Sequence, residues 1–225
     1  MRSPLKLPLS LAVKDLTIEF RRRYEFLSIL MFSLSSILVC SFAWRGILEL
    51  DPTVVSAALW IVVFFSNILI MTTSFAREVD TGTIDGLKSL PCPPYVILLG
   101  KVIYTTVIML IVTSVVFLSS LVFLNLNVAA LPSLVLIFFI GMLDLSLLGS
   151  MISALVMYSE GRTLLLAYLF FPVSVPVLIP GTLATEKVIS GLDLASIFPE
   201  LRLLLAFMLS VSAVSVYLFR NVFVE

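Results

Sequence analysis

Few side chains in this sequence can do acid–base, nucleophilic or metal chemistry. The 225-residue chain has no histidine, so it offers no imidazole as general base, zinc ligand or axial haem ligand. Its two cysteines, Cys40 and Cys92, are far apart and form no CxxC, which argues against a disulfide framework or a thiolate metal site. Cys40 sits in an apolar run and reads as a small hydrophobe. The Gly100-Lys101 step has Tyr95 and Val102 where a phosphate-cradling loop needs Gly and Ser or Thr. The chain is therefore expected to hydrolyse no nucleotide alone, and we predict neither catalytic residues nor a metal site.

One acid, Asp144, lies well inside an apolar stretch, where a charge costs about 2.5–3.5 kcal/mol on insertion scales. Two readings are open for it. It contacts a proton or substrate, or it is a neutral carboxyl hydrogen-bonded to a hydroxyl or an amide such as Asn67. The same stretch carries Ser146, Gly149, Ser150 and Ser153, which fall within a sector of about 100° on a helix. Small residues on one stripe let another helix approach closely, and Asp144 projects away from them. No second intramembrane acid accompanies it, which counts against an intramembrane enzyme. No clear repeat is visible either, which counts against an inverted-repeat transporter.

The elements positioning these residues follow from composition. Hydrophobic residues make up 60% of the chain and charged ones 12%, against about 45–50% and 25% in soluble domains. The apolar excess must face lipid, so the expected fold is a single all-α polytopic membrane domain. A crossing needs about 20 apolar residues, and the runs allow six spans, at about 26–44, 54–76, 102–124, 131–158, 163–185 and 201–219. The Asn125-Leu126-Asn127 stretch with Pro132 supplies the turn between spans three and four. Over residues 9–24, Leu9, Val13, Leu16, Phe20 and Tyr24 recur at spacings of three and four between Lys14, Asp15, Glu19, Arg21, Arg22 and Arg23. That pattern predicts an amphipathic helix, either in the membrane interface with its arginines among lipid headgroups or as a solvated extension of the first span. Placing the N-terminus in the cytoplasm puts 11 of the 14 basic residues on that side, so both termini are expected inside a cell membrane. The balanced charge gives no indication of nucleic acid.

Two further features stand out. Residues 77–101 form a charged loop in which Thr83 is a candidate N-cap and Gly82 a tight-turn residue. Ile84, Leu87 and Leu90 would line one side of a short helix ended by Pro91, Pro93 and Pro94. That apolar side docks either on a partner or on its own bundle, and Arg77 and Glu78 could form a local pair. The fifth span carries Pro172, Pro176 and Pro180 at intervals of four, which predicts a kinked helix, a hinge or a re-entrant pair of half-helices.

In order and spacing, several pieces resemble the permease subunits of type-2 ABC exporters, and more narrowly the CcmB family. They are Lys14-Asp15-Leu16 through Glu19-x-Arg21-Arg22-Arg23, Ser74-Phe75-Ala76-Arg77-Glu78 with Gly82 and Leu87, the Leu90-Pro91 and Gly100-Lys101 steps, and the proline-rich fifth span. The resemblance runs over nearly the whole chain. It implies a membrane subunit acting in cytochrome c maturation, with haem export or release of a haem-loaded chaperone as the cargo step. It implies a homodimer energised by a separate CcmA-like ATPase that binds the ATP, beside CcmC-like membrane proteins and lipid. This chain itself is then expected to hold no cofactor. The implied ATPase-coupling residues are Arg77, Glu78, Asp80, Gly82, Asp85 and Leu87. A permease for a lipid or drug is the alternative within the same architecture.

Overall fold

The computed structural model describes residues 6–44, 51–89, 92–124 and 131–222. The Asn125–Asn127 turn, the Leu90-Pro91 step and the side chain of Asp85 lie outside the described residues. Within them every regular element is helical: α1 Lys6–Arg21, α2 Arg23–Ala43, α3 Pro52–Asp80, α4 Ile84–Lys88, α5 Pro94–Phe123, α6 Leu131–Val156, α7 Arg162–Ile189 and α8 Phe198–Val222. A 3-10 turn, Leu194–Ile197, leads into α8. Six of these helices, α2, α3, α5, α6, α7 and α8, are long and apolar enough to cross a membrane. The protein is an all-α polytopic membrane protein.

Local chemistry sets the helix ends. Asp51 caps α3 by accepting the Thr53 N–H at 2.9 Å, with Pro52 just inside the helix, where its missing N–H costs nothing. α3 ends in a Schellman motif: Thr83 N–H donates to Glu78 O, Gly82 N–H donates to Val79 O, and Gly82 takes φ +65°. The spans run past the hydropathy limits at this end of the bundle. α3 continues to Asp80 rather than stopping at 76, and α5 starts at Pro94 rather than 102. Arg77, Asp80 and Lys101 are therefore helical, and the connection contracts to a turn, α4 and residues 89–93.

The fifth span is one continuous helix, α7, with all three prolines inside it, in place of two re-entrant half-helices. Pro172 and Pro176 face outward and Pro180 is buried.

α6 is the central helix, packed on α3, α5, α7 and α8. Its small-residue stripe meets α3 and α5: Ser150 and Thr105 hydroxyls lie 3.3 Å apart, and Ser153 donates to the Met71 carbonyl at 3.2 Å. Further along the bundle Trp60 of α3 fills a slot cut by two glycines. A Cβ added to Gly141 of α6 would lie 2.1 Å from the Trp60 ring, and one on Gly181 of α7 would lie 2.5 Å from it. The indole N–H donates to Thr185 at 2.9 Å, and the ring stacks on Phe138 with centroids 5.2 Å apart.

Replacing glycine by alanine inside a helix ordinarily gains about 0.5–1 kcal/mol. At Gly141 the added methyl overlaps a fully packed indole, and overpacking costs about 1–3 kcal/mol, so the steric term wins. Gly141→Ala should lower the melting temperature of the detergent-solubilised protein, and Trp60→Phe in the same chain should recover part of the loss. A melting temperature that rises on Gly141→Ala would refute the slot.

Candidate functional site

The largest concentration of buried charge gathers where α1 lies across the ends of α3 and α5. α1 presents two faces. Leu9, Val13 and Phe20 point outward, whereas Asp15 and Glu19, one turn apart, point into the protein. Arg21, Arg22 and Arg23 are exposed at the α1–α2 junction. The amphipathic pattern is thus split: Leu9, Val13, Phe20 and Tyr24 of the apolar stripe are exposed, Leu16 packs against the core, and the acids turn toward the bundle.

Those acids find cations on both neighbouring helices. Arg77 of α3 donates through Nη2 to Glu19 at 2.8 Å and to Glu25 of α2 at 2.5 Å. Tyr104 of α5 donates its hydroxyl to the same Glu19 oxygen at 2.8 Å. Lys101 of α5 binds Asp15 at 2.8 Å and Glu78 at 3.2 Å. Lys14 binds Glu78 at 2.8 Å and Asp15 at 3.3 Å. Burial works against the Lys14 ammonium, but the Glu78 hydrogen bond and the Asp15 and Glu78 charges outweigh it and hold its pKa above the ordinary 10.5. Thr83 completes the group by donating its hydroxyl to the Glu78 carboxylate. Arg77 and Glu78 therefore pair with other helices and form no pair with each other.

The six residues implied as coupling residues divide between two environments. Arg77 and Glu78 belong to the internal network. Leu87, with Ile84, is buried against Ile97 and Leu98 of α5, Ala154 of α6 and Met157, so the apolar side of α4 docks on its own bundle. Asp80 is exposed and pairs with Arg162 at the start of α7. Gly82 is exposed, as are Thr81, Thr83, Gly86 and Ser89. The outer surface of this turn-and-helix unit is polar and narrow. Its inner surface is apolar and fully packed.

Lys14, Asp15, Glu25, Lys101 and Tyr104 complete the network; the sequence marks Lys14, Asp15 and Lys101 by pattern alone, and Glu25 and Tyr104 carry no signal in it. The usable signal was the Asp15/Glu19 pair, spaced to share one helix face opposite the apolar stripe, with Arg77 and Lys101 flanking the two apolar runs. Within the membrane-spanning region Asp144 is 1% exposed, and neither of its oxygens has a hydrogen-bond partner among the described residues. The same holds for both amide atoms of Asn67, so the Asp144–Asn67 hydrogen bond is not formed. Asn67 instead lies beside Gly149 of the small-residue stripe.

The family model described as CcmB protein matches residues 6–222 of the chain. No curated protein matches it.

Glu19 is 1% exposed, and removing one partner of a buried pair costs about 3–5 kcal/mol because the remaining charge is stranded. Arg77→Gln should therefore destabilise the protein markedly, and Glu19→Gln added to Arg77→Gln should restore much of the loss. Tyr104→Phe, which removes one hydrogen bond to a charged group, should cost about 1.5–3 kcal/mol. Thermal melts of the wild type, Arg77→Gln, Glu19→Gln and the double variant give the coupling energy. Strict additivity of Glu19 and Arg77 would show that the pair does not hold α1.

Proposed function

The chain belongs to the CcmB family, membrane subunits of the haem-exporter-type ABC system of cytochrome c maturation, and from that premise we propose a division of labour for its charged end. The observation supporting the reading is the family match over residues 6–222, essentially the whole described chain. The chain acts as a non-catalytic permease subunit. ATP is bound and hydrolysed on a separate CcmA-like ATPase, and the step driven is haem export or release of a haem-loaded chaperone beside CcmC-like partners. The chain itself holds no cofactor.

The exposed strip formed by Thr81, Gly82, Thr83, Gly86 and Ser89, with Asp80 and Asp85 among its residues, is the ATPase contact. Three features favour it. The strip projects between two spans at one end of the bundle, it is polar outside, and Ile84 and Leu87 anchor it from behind. Arg77, Glu78 and Leu87 serve it from inside. They hold the strip against α1 and α5, so that a push on the strip moves helices rather than bending a loop. Two copies of the chain form the functional permease, and both termini lie on the cytoplasmic side of the cell membrane. On this reading the α1 stripe of Leu9, Val13 and Phe20 lies in the inner headgroup region. Pro172, Pro176 and Pro180 give α7 positions at which it can flex without losing further backbone hydrogen bonds.

Gly86 decides between contact and scaffold, because a Cβ there meets nothing within 4 Å. Gly86→Trp should insert and fold normally yet fail to retain the ATPase subunit on affinity purification. Gly86→Ala should retain it. Full ATPase recovery with Gly86→Trp would remove this strip from the interface. Recovery of an ATPase from native membranes without any cytochrome c assembly protein would keep the permease reading and move the cargo toward a lipid or drug.

A further inference from the structure

Beside the ion network lies a cavity of about 380 Å³, lined by residues of α1, α3 and α5 and by the turn after α3. Its wall contains four cations, Lys14, Arg22, Arg77 and Lys101, against two acids, Asp15 and Glu78. The acids are already satisfied by the two lysines. The arginines are not used up. Arg77 makes its ion pairs with Glu19 and Glu25 through Nη2, which leaves Nη1 and Nε unpaired among the described residues, and Arg22 meets Glu25 at a loose 3.5 Å. Ser74 lines the same cavity, is 4% exposed, and its hydroxyl has no hydrogen-bond partner among the described residues. Thr81 and Thr83 add hydroxyls to the rim.

We propose that this cavity binds a phosphate group, and specifically the phosphodiester headgroup of a membrane lipid. Planar guanidinium groups with spare N–H donors match phosphate oxygens in a bidentate geometry. A buried hydroxyl lacking a partner is costly to leave unsatisfied and is a ready third donor. Depth selects the lipid source. The cavity sits beneath α1, whose outward Leu9, Val13 and Phe20 place this layer where acyl chains give way to headgroups. A lipid seated here would join α1 to α3 and α5 and add a third component to the ion network. The inference stands independently of the transport reading.

The test uses the full chain in detergent, titrated with short-chain phosphatidylglycerol, with inorganic phosphate, and with a short-chain diacylglycerol lacking phosphate, following the melting temperature. Phosphatidylglycerol should stabilise saturably and the diacylglycerol should not. Arg22→Gln, which keeps the fold because Arg22 is exposed and weakly paired, should weaken the apparent affinity about tenfold, as expected for losing a hydrogen bond between charged groups. Ser74→Ala should weaken it in the same direction. Arg23→Gln, an equal change in charge outside the cavity, should leave it unchanged. Inorganic phosphate binding as tightly as the lipid would support the site and assign it to soluble phosphate. Stabilisation by an acidic peptide but by no phosphate compound would overturn the proposal in favour of a protein partner. Equal losses for Arg22→Gln and Arg23→Gln would overturn it as a general surface-charge effect.

Discussion

The arrangement at the charged end depends on one constraint: Glu19 is a carboxylate shut away from water at the edge of a lipid-embedded bundle. Isolated, such a charge would cost several kcal/mol, so the chain must bring it a cation and a second donor. Arg77 and Tyr104 come from two different helices, and Glu25 shares Arg77. Meeting that requirement fixes where α1 lies and carries α3 and α5 beyond their apolar stretches. The Lys101–Asp15 and Lys101–Glu78 contacts repeat the arrangement one step away. α1 is therefore a third wall of this end of the bundle, held from its polar side.

The rest of the bundle is held by a different kind of force. In lipid there is little hydrophobic drive between helices, because acyl chains are as apolar as leucine. Close steric fit takes its place, with Trp60 between Gly141 and Gly181, and Gly149 against Met71 and Asn67. The two regions should accordingly respond to different variables. The partly exposed members of the charged end are screened by salt, whereas the tryptophan slot, with its steric fit and its Trp60–Thr185 hydrogen bond, carries no charge for salt to screen.

Part of this arrangement is legible in the sequence, and physics explains which part. The six spans were legible because the hydrocarbon thickness demands a long uncharged run, and their lower limits followed from it. Their upper limits did not, since Arg77 and Lys101 look like span breakers until their partners on α1 are known. Gly82 was legible as a turn residue because glycine accepts a positive φ, but the helix end it closes was not, since α3 runs on to Asp80. The facing of α1 was harder. Periodicity shows that a helix has two faces but does not say which one turns inward. In a soluble domain the apolar face does, while beside lipid the apolar face can remain outside, and Asp15 and Glu19 are buried in its place. Whether α4 docks outward or inward was open for the same reason. The continuity of α7 through three prolines is not readable from periodicity: Pro180 is buried and Gly181 lies against Trp60, contacts that the sequence does not display.

These two kinds of packing bear on how movement at one end of the bundle can reach the other. α4 is backed by Ile97, Leu98, Ala154 and Met157, which belong to the start of α5 and the end of α6. Asp80 reaches Arg162 and so joins the α3 terminus to α7. The turn between α3 and α5 is therefore in contact, directly or through α4 and Asp80, with α3, α5, α6 and α7. Three of those helices, α3, α6 and α7, converge again on Trp60, where two glycines leave no slack. Close contact at both ends leaves little room for local bending, and on α7 the three prolines Pro172, Pro176 and Pro180 each lack the N–H that would donate within the helix. Asp144 lies on α6 between these two ends, and neither of its oxygens has a hydrogen-bond partner among the described residues. A buried polar group without a donor is costly, so Asp144 is a point of unmet polar demand on a helix whose other neighbours are closely packed.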